Sequence, residues 1–463
     1  MNKIILNKDN TIIKPKKKFN IFYIILGILL IGLIAYSIKI FAFSNNIGIK
    51  ITPDDIINPI KKDPELKRDS SGKLTNALIV GIDTRNASSD LRNTDTMILA
   101  SYNHETNNVL MLSIPRDFYV KVPNEDWYTK INGIYQHGEN NKVGGMNLLK
   151  TVVQEITGYE IQYYGMVDLQ GFVKIVDTVG GVTVNVENSF IDYRYPREGS
   201  AGSVYETISF TKGVQNMNGT TALKYARSRQ SINPLEGSDF ARARRQQKVI
   251  VALKDKILSS ETLLNPSKVL EILNTVEKNV KLSEFTSEDI QALVNLAQKQ
   301  KENKSEISSF VLDPSIANST LVTANGFNVG NLYVIGPKAG LNNYTEIKKY
   351  FSAVANNPIL YSEDPTVMVY NTGLGDSASK EYTNTLKKKY PYINIQYLGT
   401  LFNDKTGNVI YSHSQKEYLK SLEILSSSLD TKEIGRPTYI KNDLNGENIT
   451  ILLGKQITNT TTE

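Results

Sequence analysis

The sequence predicts an α/β protein in three parts: an N-terminal transmembrane helix, a mixed β-sheet domain flanked by helices, and a small βαβ-like C-terminal domain. Three observations predict it. A 20-residue uncharged apolar run, 19–38 (FNIFYIILGILLIGLIAYSI), stands behind a lysine cluster. From residue 74, short apolar runs bounded by turn residues alternate with stretches of helical periodicity. After Asn356-Asn357-Pro358 that alternation restarts on a smaller scale.

The 463 residues hold 53 Lys and Arg, 47 Asp and Glu, three His and no Cys, with 40% apolar residues. Ordinary cores are within reach. Disulfide frameworks, thiol nucleophiles, zinc–thiolate sites and Fe–S clusters are excluded. The formal charge of +6 suggests a polyanionic partner, but its distribution removes the suggestion. Residues 1–43 carry seven lysines and one acid, Asp9, so the whole excess lies there and the remainder is neutral. No nucleic acid partner is expected.

At 1.5 Å rise per residue, ~20 apolar residues cross ~30 Å of hydrocarbon. Lys14, Lys16, Lys17 and Lys18 precede the run, which predicts a cytoplasmic tail (1–18), a retained single span (19–43) and everything later outside. A cleaved signal peptide would want a small-x-small site, and the residues after the run offer a poor one. Residues 44–73, polar with scattered Pro, read as a linker. Strands follow at 76–81 (NALIVG), 96–102 (TMILASY) and 109–114 (VLMLSI). Helical spacing marks 144–157, through Leu148, Leu149, Val152, Val153 and Ile156, and 168–179, ended by Gly180-Gly181. Residues 182–186 (VTVNV) alternate as a strand, 220–226 form a short helix, and 239–258 a long one with Asp239 as its N-cap. Residues 266–357 read as further helices around one strand, 331–335, completing a domain at 74–357 with its core at 74–258. A C-terminal domain at 363–457 then has strands at 366–370, 393–398 and 449–453 and helices at 379–388 and 415–425. The tail 458–463 is polar and expected to be disordered.

The common enzyme signatures are absent: no G-x-x-x-x-G-K-[ST], no G-x-S-x-G, no H-E-x-x-H. His104, His137 and His413 are scattered in polar contexts and anchor no triad. Arginine carries the signal instead. The chain has 12 Arg against 41 Lys, yet ten of the arginines fall between 85 and 245, where only seven Lys occur. Arg offers a planar, permanently charged fork that bonds two phosphate or carboxylate oxygens at once. Surface salt bridges explain one or two such residues, not ten. Arg116 follows a strand end and a Pro, which places it at a sheet margin. Arg227 and Arg229 project to one side if the chain there is extended. Arg242 and Gln246 continue a core stripe with Ile250 and Leu253, which is costly unless they are paired. The Arg244/Arg245 face reads as solvated. Asp83 closes one strand and Asp95 opens the next. They either pair with the arginines or hold Mg²⁺, which takes a few protein oxygens and shares the rest with phosphate and water.

Seven segments, in order, resemble the LytR–CpsA–Psr (LCP) family of bacterial cell-envelope enzymes: GIDTR (81–85), RNTDT (92–96), SIPRDFYV (113–120), KING (130–133), FVKIVDTVGGVTVNV (172–186), MNGTTALKYARSRQ (217–230) and SDFARARRQQ (238–247). Residues 365–455 look more weakly like the small LytR-type C-terminal domain often joined to it. The resemblance implies the LCP fold and a phosphotransferase outside the membrane of a Gram-positive envelope. Such proteins move a glycopolymer (teichoic acid, capsule or another polysaccharide) from an undecaprenyl-diphosphate carrier to the C6 hydroxyl of N-acetylmuramic acid in peptidoglycan. By motif match, Asp83, Asp95 and Arg116 would be catalytic, with Asp83 and Asp95 holding Mg²⁺, or Mn²⁺ in its place. Arg92, Arg116, Lys130, Arg227, Arg229, Arg242 and Gln246 would grip the diphosphate, with Arg85 a weaker member of the set. The extra Arg194 and Arg197 within 187–207 mark a loop that meets the polymer. Two readings of other classes stay open: a membrane-tethered binder of anionic polymer without catalysis, and a transcription regulator. The second would have only ~18 residues on the cytoplasmic side.

Overall fold

The computed structural model describes residues 64–83, 93–197, 204–263, 265–283, 307–314, 321–324, 327, 329–413, 418–429, 435–441 and 448–455, with scattered residues between 286 and 296. The expected cytoplasmic tail, membrane span and C-terminal tail lie outside them, as do Arg85 and Arg92. Among the described residues no helix is long and apolar enough to cross a membrane. Residues 63–283 and 288–463 form one compact unit. The other, Met1–Lys62 with Glu284–Ser287, is almost wholly outside the described residues.

In chain order come β1 (Leu74–Asp83), β2 (Asn93–Asn103), β3 (Val109–Ser113), a hairpin of β4 (Tyr119–Lys121) and β5 (Tyr128–Lys130), α1 (Ile134–Asn140), α2 (Gly145–Thr157), β6 (Tyr163–Asp168), α3 (Leu169–Thr178) and β7 (Val182–Val186). A second hairpin, β8 (Phe190–Pro196) and β9 (Tyr205–Phe210), precedes β10 (Gly213–Met217), α4 (Gly219–Arg227), α5 (Asp239–Ile257), α6 (Pro266–Asn279), β11 (Val280–Leu282) and β12 (Ile307–Val311). Short strands β13 (Val322–Thr323) and β14 (Gly336–Pro337) lead to α7 (Thr345–Asn356) and α8 (Pro358–Glu363). Last come β15 (Val367–Asn371), α9 (Asp376–Lys389), β16 (Ile395–Thr400), β17 (Val409–Ser412), α10 (Leu419–Ser428) and β18 (Ile449–Leu453).

The central sheet runs β11-β6-β1-β2-β3-β12. It is mixed: β1 pairs antiparallel with β2 and parallel with β6, and β12 joins β3 in parallel. Helix α2 forms because its apolar residues recur every three to four positions; Leu149, Val152, Val153 and Ile156 are buried together. In α3, Asp168 caps the N-terminus by accepting from Gly171 N at 2.7 Å, and Gly180 and Gly181 end the turn with left-handed φ of 89° and 87°. A separate sheet, β16-β15-β18-β17, carries the C-terminal elements, and its Val367, Val369, Ile449 and Ile451 belong to the same buried cluster as Leu78, Val80 and Leu99 of the central sheet. Within the stretch expected as linker, Leu66 is buried and Lys67 N donates to Tyr163 Oη at 2.9 Å.

Two expectations are corrected. Residues 331–335 are not a strand. Leu332 and Tyr333 are exposed, and only Ile335 bridges to Phe118. The strands of that region are β11 and β12, one at each edge of the central sheet. Helix α5 is capped by Ser238, whose Oγ accepts from Ala241 N at 3.1 Å, not by Asp239.

Candidate functional site

The site begins at an irregularity between β1 and β2. Gly81 pairs with Thr96 and Ile82 with Thr94, so Asp95 is the extra residue of a β-bulge. Bulges re-aim side chains at sheet margins. Asp83 stands opposite Asn93, two residues from Asp95 on the neighbouring strand, as the expected sheet-end pairing requires. Gly81 lets the strands approach, since a Cβ there would lie 2.9 Å from Thr96 Cβ. Asp83 and Asp95 both line a cleft of about 470 Å³.

Arg116 reaches this cleft from the turn after β3. One Nη stands 3.2 Å from Asp95 Oδ2 and the other 3.9 Å from Asp239, while Nε is 3.6 Å from Asp117. Burial alone would lower its affinity for a proton, but the carboxylates of Asp95, Asp239 and Asp117 raise it above the usual guanidinium value. The β4–β5 hairpin pairs Tyr119 with Lys130, which brings Lys130 Nζ to 2.6 Å from Asp117 Oδ1. Lys130 thus neutralises Asp117 beside Arg116 and does not itself line the cleft.

With Ser238 as cap, Asp239 is free to face the first turn of α5. Its carboxylate lies 2.7 Å from Arg242 and 3.8 Å from Arg229. Arg242 is 8% exposed and donates to the Asp95 carbonyl at 3.4 Å. Burial pulls its pKa down to about 10, so it stays charged at neutral pH. From the end of α4, Arg227 donates to Tyr195 Oη at 3.3 Å and stands over that ring. A second cavity, about 170 Å³, shares Asp95, Arg116, Arg242 and Gln246 with the cleft. Beyond them its walls include Met97, Ile114, Phe240, Val311 and Ile335. The charged cluster therefore divides a polar cleft from an apolar pocket.

The structure thus gathers Asp83, Asp95, Arg116, Arg227, Arg229, Arg242 and Gln246 around one cleft, with Arg194 and Arg197 at its rim. Four residues that sequence reasoning missed support them: Asp192 in the cleft wall, Asp117 and Asp239 in the wall of the second cavity, and Arg245 bonded to the Ser228 carbonyl between Arg227 and Arg229. Asp117 pairs with its neighbour Arg116 and with Lys130, and Asp239 with Arg242 one turn on and with Arg229. Asp239, in the first turn of a helix of arginines, carried a signal that capping obscured. The expected solvated face at Arg244 and Arg245 is half wrong. Arg244 is exposed, but Arg245 is 1% exposed and ion-paired with Glu236.

The residues fit a hard divalent cation. Asp95 Oδ1 is buried with no hydrogen-bond partner, and such an orphaned carboxylate oxygen suits an ion. Among the described residues no group of three or more His, Cys, Asp or Glu gathers to hold a metal. An ion here would take its remaining ligands from water and phosphate, as Mg²⁺ does.

The structure thus places an arginine–carboxylate cleft at the margin of a mixed α/β sheet. The chain matches the LytR_cpsA_psr family over residues 44–349 and belongs to that family. The polyisoprenyl-teichoic acid--peptidoglycan teichoic acid transferase TagU of Oceanobacillus iheyensis is 32% identical over 267 residues, covering 56% of this chain and 77% of that protein. The cell wall biosynthesis protein LcpA of Corynebacterium glutamicum is 31% identical over 214 residues, covering 42% of this chain and 38% of that one. The crystal structure of Bacillus subtilis TagV is 25% identical with a TM-score of 0.45, covering 60% of this chain and 96% of that chain.

Proposed function

We propose that this protein is a cell-wall glycopolymer transferase that moves a polymer from an undecaprenyl-diphosphate carrier to peptidoglycan, with the C6 hydroxyl of N-acetylmuramic acid as acceptor. The observation that carries the reading is the gathering of Arg116, Arg229 and Arg242 with Asp95 around one cleft that opens beside an apolar pocket. A guanidinium cluster suits a diphosphate, and an apolar pocket suits the first units of its polyprenyl chain.

In the proposed reaction the acceptor oxygen attacks the phosphorus that bears the sugar. A new P–O bond forms, the bond to the bridging oxygen breaks, polyprenyl phosphate leaves, and the hydroxyl proton passes to a base or to water. Negative charge grows on the bridging oxygen. Arg116, Arg229 and Arg242 are already placed by Asp95 and Asp239, so they stabilise that charge without reorganising solvent. Asp83 and Asp95 would hold Mg²⁺, which when bound neutralises phosphate oxygens. The anchor at 19–38 would keep residues after 44 on the outer face, beside the lipid carrier.

The full chain in detergent, incubated with a synthetic polyprenyl-diphosphate saccharide and peptidoglycan fragments, should yield a phosphodiester product and polyprenyl phosphate only when Mg²⁺ is present. Retention of donor without turnover, across varied donors, would instead support a non-catalytic binder of envelope polymer.

A further inference from the structure

Arg227 and Arg229 flank a residue that does not line the cleft. Ser228 is fully buried, with extended backbone (φ −54°, ψ 138°) just after α4, so its two neighbours project to one side. It is held from two directions. On one side stands Asp192, 1% exposed, on β8. Its Oδ2 accepts from Ser228 Oγ at 2.7 Å, from Gln230 N at 3.2 Å and from Arg229 N at 3.3 Å, while Oδ1 accepts from Arg194 N at 2.9 Å. On the other side Arg245 donates to the Ser228 carbonyl, to the Tyr225 carbonyl at 2.9 Å and to the Glu236 carbonyl at 3.0 Å, and pairs with the Glu236 carboxylate. Its guanidinium packs over Phe190, 4.9 Å from the ring centroid.

We propose that Asp192, Ser228 and the Arg245–Glu236 pair are positioning residues that fix the spacing of Arg227 and Arg229 for a diphosphate. The inference rests on the diphosphate reading of the cleft. Asp192 lines that cleft, yet it is 1% exposed and four donors already converge on its carboxylate, which suits it to holding the turn. The carboxylate also ties the β8–β9 hairpin, with Arg194 and Arg197, to the same turn. The ordering of this backbone is completed on folding rather than on binding, which is what preorganisation means for flexible guanidinium side chains.

The test uses the full chain in detergent, with inorganic pyrophosphate and Mg²⁺ as probe and calorimetric affinity as readout. Ser228→Ala removes one bond to a buried carboxylate and should weaken pyrophosphate roughly tenfold. In an Arg227→Ala/Arg229→Ala background, already weak, the same change should do nothing further, because the clamp acts through those two side chains. Without ligand, the Arg229 and Gln230 amides should exchange hydrogen faster in Ser228→Ala than in the parent. Parental affinity and exchange in Ser228→Ala would overturn the clamp, and so would an equal fractional loss in both backgrounds, the mark of a purely structural role. A parent chain that fails to bind pyrophosphate would overturn the diphosphate reading itself and the purpose assigned to the clamp.

Discussion

Arg116 faces three carboxylates, and that arrangement decides what its replacement should do. Arg116→Ala should fold but lose transfer by about 10²–10³-fold, the usual effect of deleting one transition-state donor. Arg116→Lys should not restore it, because an ammonium cannot span the same acceptors. Near-parental product formation by Arg116→Lys would count against the fork-like role. The adjacent pair Arg244 and Arg245 makes a sharper contrast. Arg245→Met strands the Glu236 carboxylate in the interior and should lower stability by about 3–5 kcal/mol. Arg244→Ala should cost less, because Arg244 is itself exposed and meets the buried Asp313 carboxylate only at 3.5 Å. Thermal unfolding of the two variants side by side checks this. Arg242 was legible in the sequence as a charge in line with an apolar stripe. Arg245 was not, because its acceptors are carbonyls of Tyr225, Ser228 and Glu236, which no helical periodicity reveals.

At the scale of elements, the bulge that holds Asp95 depends on close contact between β1 and β2. Gly81→Ala puts a Cβ 2.9 Å from Thr96 Cβ, so the strand ends must part and Asp95 must shift. Transfer should fall while circular dichroism stays parental. Unchanged turnover would show that the bulge is not needed. Gly219→Ala drives a Cβ into the Val173 carbonyl, where α4 crosses α3, and should lower the melting temperature through overpacking of about 1–3 kcal/mol. The helices α2 and α3 and the strand β7 were readable because their periods are long or strict enough to count. The β4–β5 hairpin and β11 were not, since three-residue strands show no period. β12 hid because Ser308 and Ser309 together break its apolar run. The apolar residues at 331–335 misled in the opposite sense, since the chain leaves Leu332 and Tyr333 on the surface.

For the whole molecule, the charge asymmetry matters most: the net +6 resides in residues 1–43, ahead of and around the apolar run. It predicts that protease added to intact cells digests the chain after residue ~44 and spares the first ~18 residues. Protection of the C-terminal part in intact cells would reverse the proposed orientation. In the cleft, guanidiniums and aspartates would meet one diphosphate. A crystal structure of the full chain with Mg²⁺ and a short-chain polyprenyl diphosphate tests it most directly. The phosphates are expected against Arg116, Arg229 and Arg242, the ion on Asp83 and Asp95, and the prenyl chain in the pocket walled by Met97 and Phe240. A diphosphate bound elsewhere, or an ion held without Asp95, would contradict it.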